Sequence, residues 1–326
     1  MLLIVIFLSL LLGILYLANR DKREVIVYEN IKPAIIKPEI IHLGFVGDMM
    51  LDRSVKISIM KNGGGDYHFP FAKIQSTLDQ FDWLFGNLEG PVSDKKNICG
   101  SIYSFQMATT VPSVLADVGF DAVSVANNHM MDYCQSAFVD TLKRLASSSL
   151  EYVGGGNNYD EAYTVKSFEV KKLKVAVMAF SDFGKTWTEK NKDEPGVAKI
   201  DQNKICQMVQ DVRPDNDLVV VSLHMGDEYK TESNTYQKTV AEKAIDCGAD
   251  IIVGHHPHVS EPLVQYKDGW ITYSLGNFVF DQPFSEETMK GNILNVVVEG
   301  KKLKTVEYWP YKLNSFYQPE LVKESN

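Results

Sequence analysis

Short apolar runs recur along the chain, and several stop at a glycine, a small residue or a leucine that is followed at once by acid, amide or imidazole. Ile41-His-Leu-Gly-Phe-Val46 runs into Gly47-Asp48, and Asp82-Trp-Leu-Phe85 into Gly86-Asn87-Leu88-Glu89. Ala122-Val-Ser-Val-Ala126 delivers Asn127-Asn128-His129, Leu218–Leu223 delivers His224, and Ala249–Val253 delivers Gly254-His255-His256-Pro257-His258. Runs this short, bounded by turn residues, predict strands. Further strands are predicted at Lys174–Phe180 and Trp270–Leu275. Helical spacing of Phe71, Ile74, Leu78 and Phe81 predicts a helix over 71–81, and others are expected at Val111–Val118, Ser136–Leu145 and Gln237–Asp246. Pro112 early in the second of these and Gly119 after it are start and stop signals. The tail, Ile293–Val298 and Leu303–Trp309, reads as an antiparallel hairpin about Gly300-Lys301. Strands alternating with helices predict an α/β fold, with one domain over 41–326.

The first eighteen residues, Met1 to Ala18, carry no charge and no polar face. As a helix they would span roughly 27 Å, about a bilayer's hydrocarbon thickness. No basic residue precedes the run and no small-x-small site follows it, so an uncleaved transmembrane anchor is favoured over a signal peptide. Residues 19–40, with Pro33 and Pro38, read as a tether. Arg20, Lys22 and Arg23 follow the anchor, and the positive-inside rule alone would keep the domain cytoplasmic. An even cysteine count, four, points weakly the other way. A formal net charge of −9 without basic clusters argues against nucleic acid as a partner. Lys171-Lys172 and Lys301-Lys302 read as solvated hairpin turns.

Gly-Asp or an Asn pair at a strand end is more often a turn or a cap than a ligand. Five polar strand ends from one sheet, however, would face one crevice, where open α/β folds place their ligands. Carboxylate, amide oxygen and imidazole together suit Zn, Mn or Fe. Three imidazoles between His255 and His258, two of them flanking the rigid Pro257, make a divalent metal the better reading. With this many ligands, two metals sharing a carboxylate are an alternative to one.

At these residues the chain resembles the bacterial capsule-synthesis proteins of the CapA, poly-γ-glutamate type, a branch of the calcineurin-like metallophosphoesterases. The matching segments are Gly47–Arg53, Gly86–Glu89, Ser124–His129, His224–Tyr229, Gly254–Val259 and Ser274–Asp281, in family order between Gly44 and Gln282. The resemblance implies a four-layer α/β/β/α metallophosphatase-like sandwich. It also implies that Asp48, Glu89 and His258 hold one metal, and that Glu89 bridges to a second held by Asn128, His224 and His256. His129 would contact substrate as acid or transition-state stabiliser, and Arg53 would clamp an anionic group, although an ordinary surface arginine is the bland alternative. Two departures stand out. Asp-x-His becomes Asp48-Met49-Met50, which removes an imidazole, and Gly-Asp-x-x-Asp becomes Gly86-Asn87-Leu88-Glu89, which leaves one carboxylate where the pattern has two. Both make a one-metal site an expectation alongside two.

His255 is read as structural, and His42 and His68 as surface or packing residues. Asn277 and Asp281 are read equally as crevice lining or as turn and cap. Met49, Met50, Met130 and Met131 are read as core filler. Cys99 and Cys134 border the expected site, and a disulfide between them would pin that loop. The function this implies is a membrane-anchored, metal-dependent hydrolase of capsule, poly-γ-glutamate or cell-envelope polymer biosynthesis. It would act on an anionic polymer or phosphoester, with His129 assisting proton transfer. The alternatives are a non-catalytic component of a membrane polymer-synthase complex and a general phosphomonoesterase. The polymer context favours an extracytoplasmic domain on a single-pass anchor.

Overall fold

The computed structural model describes residues 38–184 and 192–322. The anchor expected at 1–18 and the tether, apart from its last three residues, lie outside the described residues. Among the described residues no helix is long and apolar enough to cross a membrane.

Two mixed sheets form the body. In the first, β1 (Ile40–Met49), β2 (Trp83–Leu88), β3 (Ala122–Ser124) and β4 (Glu151–Val153) run parallel. The second holds β5 (Lys166–Val170), β6 (Leu173–Ser181), β7 (Leu218–His224), β8 (Ile251–His255), β9 (Leu263–Tyr266) and β10 (Gly269–Thr272) in the order β9-β10-β8-β7-β6-β5. Its four central strands are parallel and its two edges antiparallel. The chain then returns to the first sheet. There β11 (Asn277–Val279) pairs with the end of β1, while β12 (Lys290–Glu299), β13 (Lys302–Leu313) and β14 (Pro319–Leu321) extend its antiparallel side.

The layering follows from strand periodicity, because successive side chains leave a strand on opposite faces. In β6, Val175, Val177 and Ala179 join a core shared with Leu43, Phe45 and Phe85 of the first sheet, while Ala176, Met178 and Phe180 join a separate core under the helices. The same alternation in β7 sends Leu218 and Val220 inward, and Val219 and Val221 outward. Strands that are apolar on both faces need cover on both faces. α1 (Arg53–Asn62), α2 (Val111–Val118) and α3 (Cys134–Ala146) supply it for the first sheet, and α4 (Gln202–Val212) and α5 (Thr235–Asp246) for the second. The result is an α/β/β/α arrangement. At its centre Phe45 sits edge-on to both Trp83 and Phe85, with ring centroids 5.8 and 6.2 Å away.

The structure differs from the sequence expectation in three places. The helix expected over 71–81 is a 3-10 turn at Phe69–Phe71 followed by a single turn at Gln75–Leu78. Phe71, Ile74 and Leu78 are nonetheless buried together, so the apolar spacing reported a buried face and not a continuous helix. Strands β4, β5, β9, β11 and β14 and helices α1 and α4 have no counterpart in the sequence reading. The polar strand ends also come from two sheets rather than one, and several lie within the strands: β1 continues through Asp48 and β2 through Asn87. Lys171, at φ 55°, does form the tight turn between β5 and β6.

All four cysteines are paired. Cys99 joins Cys134, as the loop argument expects, and Cys206 of α4 joins Cys247 just past α5, a pairing the sequence left open. Cys206 and Cys247 lie 41 residues apart, and on chain-entropy grounds replacing both by serine is expected to cost about 2–4 kcal/mol in a denaturant titration. Alkylation of the unreduced protein is expected to label no cysteine. A second prediction concerns Glu261, buried beside α5 with its Oε2 accepting from Gln237 Nε2 at 2.7 Å. Burial pushes its carboxyl up to about 7. Its contribution to stability is therefore full below about 4.5 and is lost as pH rises through about 7. Glu261→Gln is expected to remove that loss, gaining on the order of 2 kcal/mol over the parent at pH 8 and nothing below about pH 4.

Candidate metal centre

The C-terminal ends of β1, β2 and β3 meet those of β7 and β8 in one basin, and two glycines let the backbones approach. A Cβ on Gly47 would lie 1.8 Å from the Gly276 carbonyl oxygen, and one on Gly254 would lie 1.8 Å from that of Tyr273. Past β8 the chain turns through His256 and His258, both left-handed at φ 99° and 59°. Such conformations are costly for residues with a Cβ and persist where the surroundings impose them.

Asp48 and Glu89 sit at the bottom, both fully excluded from solvent. His258 Nδ1 lies 3.5 Å from Asp48 Oδ2 and 3.0 Å from Asn277 Oδ1, and its Nε2 lies 3.7 Å from Glu89 Oε1. His224 Nε2 meets Asn128 Oδ1 at 2.8 Å, and the His224 and His256 rings are 4.9 Å apart. Ligand atoms of Asp48, Glu89 and His224 all fall within 4.8 Å of one another. His129 reaches in from the loop after β3: its Nε2 lies 3.9 Å from Glu89 Oε1 and its Nδ1 lies 2.8 Å from Asp132 Oδ2. Seven of the eight residues picked from sequence thus gather at the bottom of the basin. Arg53 stands at the rim, its Nε 3.3 Å from Asp281 and its guanidinium 5.4 Å over the Phe105 ring. Above them opens a cavity of about 590 Å³, lined by Arg53, His129, His258, Tyr103, Tyr229 and Phe284 among others.

Burial dominates the electrostatics. Glu89 is held well above its ordinary value by burial and then by the Asp48 charge beside it. Burial would raise Asp48 too, but the imidazoles of His255 and His258 outweigh it and keep its carboxyl well below the usual range. Burial and the neighbouring His256 push His224 down, while burial and His258 push His256 down to about 3. The imidazoles of His224 and His256 are thus neutral with lone pairs to offer, the form in which His ligates metal.

The donor set fits a divalent cation. Glu89 Oε1, His256 Nδ1 and both ring nitrogens of His255 are buried without a hydrogen-bond partner, although His255 Nδ1 lies 3.3 Å from Asp48 Oδ1. Buried polar atoms of native proteins are otherwise almost always satisfied. Carboxylate and imidazole left in this state match the hard-to-borderline preferences of Zn, Mn and Fe.

Four residues had no role in the sequence reading. Asn87 Nδ2 touches Asp48 Oδ1 at 2.8 Å and Glu89 Oε2 at 3.1 Å, and Asn127 Nδ2 holds Asn87 Oδ1 at 3.0 Å. Asp132 orients His129, and Phe105 packs on the same imidazole with centroids 4.0 Å apart. The signal for Asn87 was its position two before Glu89 on a strand, which puts both side chains on one face. Asn277 and Asp281 take definite parts, the one on His258 and the other on Arg53.

Residues 42–282 match the family described as bacterial capsule synthesis protein PGA_cap. Among similar proteins, the capsule biosynthesis protein CapA of Bacillus anthracis is 37% identical over 245 residues, 73% of this chain and 59% of that protein. The PGA biosynthesis protein CapA of Bacillus subtilis is 35% identical over 257 residues, covering 78% of this chain and 67% of that protein. The chain therefore spans about three fifths to two thirds of those relatives. Among solved structures, a novel phosphatase of Mycoplasma pneumoniae shares the fold at a TM-score of 0.53 with 14% identity, over 84% of this chain and 94% of that one. A hypothetical protein of Thermus thermophilus does so at 0.52, also with 14% identity, over 83% and 99%. The family match begins in β1 and ends beyond Asp281, so it takes in every strand end that feeds the basin, and the chain belongs to the bacterial capsule synthesis protein family PGA_cap.

Proposed function

We propose that this chain is a metal-dependent hydrolase of capsular poly-γ-glutamate or cell-envelope polymer biosynthesis, tethered to the membrane by its N-terminal segment with the described domain outside the cytoplasm. The observation that carries the chemical part is the convergence of Asp48, Glu89 and His224 in a dry basin where Glu89 Oε1 has no hydrogen-bond donor. The polymer context rests on the names of the two Bacillus relatives, which refer to capsule and PGA biosynthesis. Two disulfides suit an oxidising compartment.

Asp48, Glu89, Asn128, His224, His256 and His258 are the residues that would hold one or two ions. A divalent cation there supplies Lewis-acid polarisation and offsets the buried carboxylate charge. The protein's own groups set up the rest. Asp132 Oδ2 accepts hydrogen bonds from the Phe105 backbone N–H and from His129 Nδ1, each at 2.8 Å, which leaves Nε2 facing the basin to exchange a proton with substrate. Arg53 is held by Asp281 on one side and Phe105 below, so its remaining N–H groups present a fork to a carboxylate or phosphate in the cavity. Phe105 packs against His129 and Phe280 against His258, with ring centroids 4.0 and 4.8 Å apart, which fixes the position of both imidazoles.

His256→Ala is expected to lower metal affinity by more than about 100-fold, beyond the loss typical of an outer partner, as read by elemental analysis after equilibrium dialysis. Full metal content in that variant would overturn the ligand assignment. Glu89 gives a pH signature. Its folded value is raised, so the metal-free protein is stabilised while Glu89 is protonated and loses that contribution as pH rises through the raised value. Cation binding must displace this proton. Calorimetry in two buffers of different ionisation enthalpy is expected to show about one proton released per ion, with affinity rising with pH. Because His256 lies near 3, it releases none.

A further inference from the structure

The amide of Asn87 is held in one orientation by a chain of hydrogen bonds that ends on backbone groups, and those cannot be exchanged end for end. Asn127 Nδ2 donates to the Leu88 carbonyl at 2.9 Å, and Asn127 Oδ1 accepts from the His129 N–H at 3.1 Å. Turning the Asn127 amide over would set donor against donor at His129 and acceptor against acceptor at Leu88, so its orientation is fixed. Its Nδ2 also donates to Asn87 Oδ1 at 3.0 Å, which fixes Asn87 in turn. The Asn87 amino group is thereby left pointing at Asp48 Oδ1 at 2.8 Å, Glu89 Oε2 at 3.1 Å and His224 Nδ1 at 3.4 Å. These belong to the same three residues whose ligand atoms cluster within 4.8 Å. An amide nitrogen donates and cannot ligate a cation. All of this is fully buried: Asn87 is 0% exposed and Asn127 is 1%.

The basin therefore has two unlike faces. On one, an N–H group occupies the space shared by Asp48 Oδ1, Glu89 Oε2 and the His224 Nδ1 lone pair. On the other, Glu89 Oε1 has no donor and faces His258 Nε2 at 3.7 Å and His129 Nε2 at 3.9 Å. We infer that Asn87 sets the capacity of the centre at one divalent cation, taken on the Glu89 Oε1 face, because the Asn127-locked amide fills the other face as a permanent donor. Charge agrees with this count. Asp48 and Glu89 are the two carboxylates in contact with the amide, and one divalent cation balances them, whereas two would leave an excess positive charge beside fully buried groups.

This inference rests on the metal-centre reading, and metal counting separates the two. Full-length protein is stripped with a chelator, equilibrated with excess Mn²⁺ or Zn²⁺, freed of loose ions and assayed by elemental analysis. The parent chain is expected to hold one ion. Asn87→Asp keeps an acceptor for Asn127 and places a carboxylate oxygen on the closed face, so it is expected to hold two, or to bind a second ion at least tenfold more tightly. The metal-free variant is expected to melt below the parent, and saturating metal is expected to raise its melting temperature more than the parent's. Two ions in the parent would overturn the inference and leave the metal centre standing. So would a folded Asn87→Asp protein that still takes one. No ion in either would overturn the metal-centre reading, and this inference with it. Should Asn87→Asp not fold, the parent count decides alone, one ion supporting the inference and two overturning it.

Discussion

Two carboxylates excluded from water within contact of one amide are the constraint around which this molecule is organised. Asp48 and Glu89 are both fully buried, and Asn87 Nδ2 touches each of them. An isolated buried carboxylate is far too costly to persist, so each needs donors, opposite charge or a proton. The fold answers unequally. Asp48 receives the Asn87 amide and lies beside the imidazoles of His255 and His258, which hold its carboxyl well below the usual range, whereas Glu89 Oε1 receives nothing and its carboxyl is pushed toward the protonated form. That asymmetry is the chemical character of the basin: a fixed anion beside an acid ready to exchange its proton for a cation.

Placing such a pair requires two sheets, because no single sheet edge brings enough polar groups to one point. The first sheet contributes the acids, the amides and His129, the second contributes His224, His255, His256 and His258, and strands apolar on both faces hold the sheets together. Within each sheet the strands also crowd at the basin: Gly47 and Gly254 each abut a carbonyl of the segment that pairs beside them. The left-handed His256 and His258 place backbone strain in the turn just past β8. Arg53, the first residue of α1, and the loop pinned by Cys99–Cys134 then frame the mouth. The backbone N–H groups of Cys99 and Gly100 both donate to the Asp132 carbonyl, so the disulfide loop and the residue that orients His129 form one unit.

Much of this was legible in the residues themselves. Strand ends carrying Asp48, Glu89, Asn128, His224, His256 and His258 announce a site because polar groups at the end of apolar runs have nowhere else to go than an edge. Helix α2 was readable to its last residue, since Val111–Val118 ends in a left-handed Gly119 at φ 108° that the composition requires. The division into two sheets came from the family resemblance alone, because periodicity says that a strand is buried and not which neighbour buries it. The break in the helix expected over 71–81 was hidden for the same reason: the apolar spacing around Ile74 is satisfied by a 3-10 turn and a single α-turn as well as by a continuous helix. Asn87 lay in view beside Glu89 and was read only as the place of a missing carboxylate, for only the locked position of Asn127, forty residues away, makes it a donor.

Met50 shows how a residue-by-residue comparison with a motif can mislead about geometry. Where Asp-x-His would supply an imidazole, this chain has a thioether, which reads as a subtraction from the centre. In the fold the Met50 side chain is fully buried in the core beneath the first sheet, packed with Val46, Leu51 and Phe280 among others, and contributes to stability rather than to the basin. The imidazoles around Asp48 come from the far side. His255, the last residue of β8, is 1% exposed and brings its Nδ1 to 3.3 Å from Asp48 Oδ1, and His258 approaches the other oxygen at 3.5 Å. Asp48 thus stands between two imidazoles although its own segment carries none, because the crossing of the two sheets decides which side chains meet there.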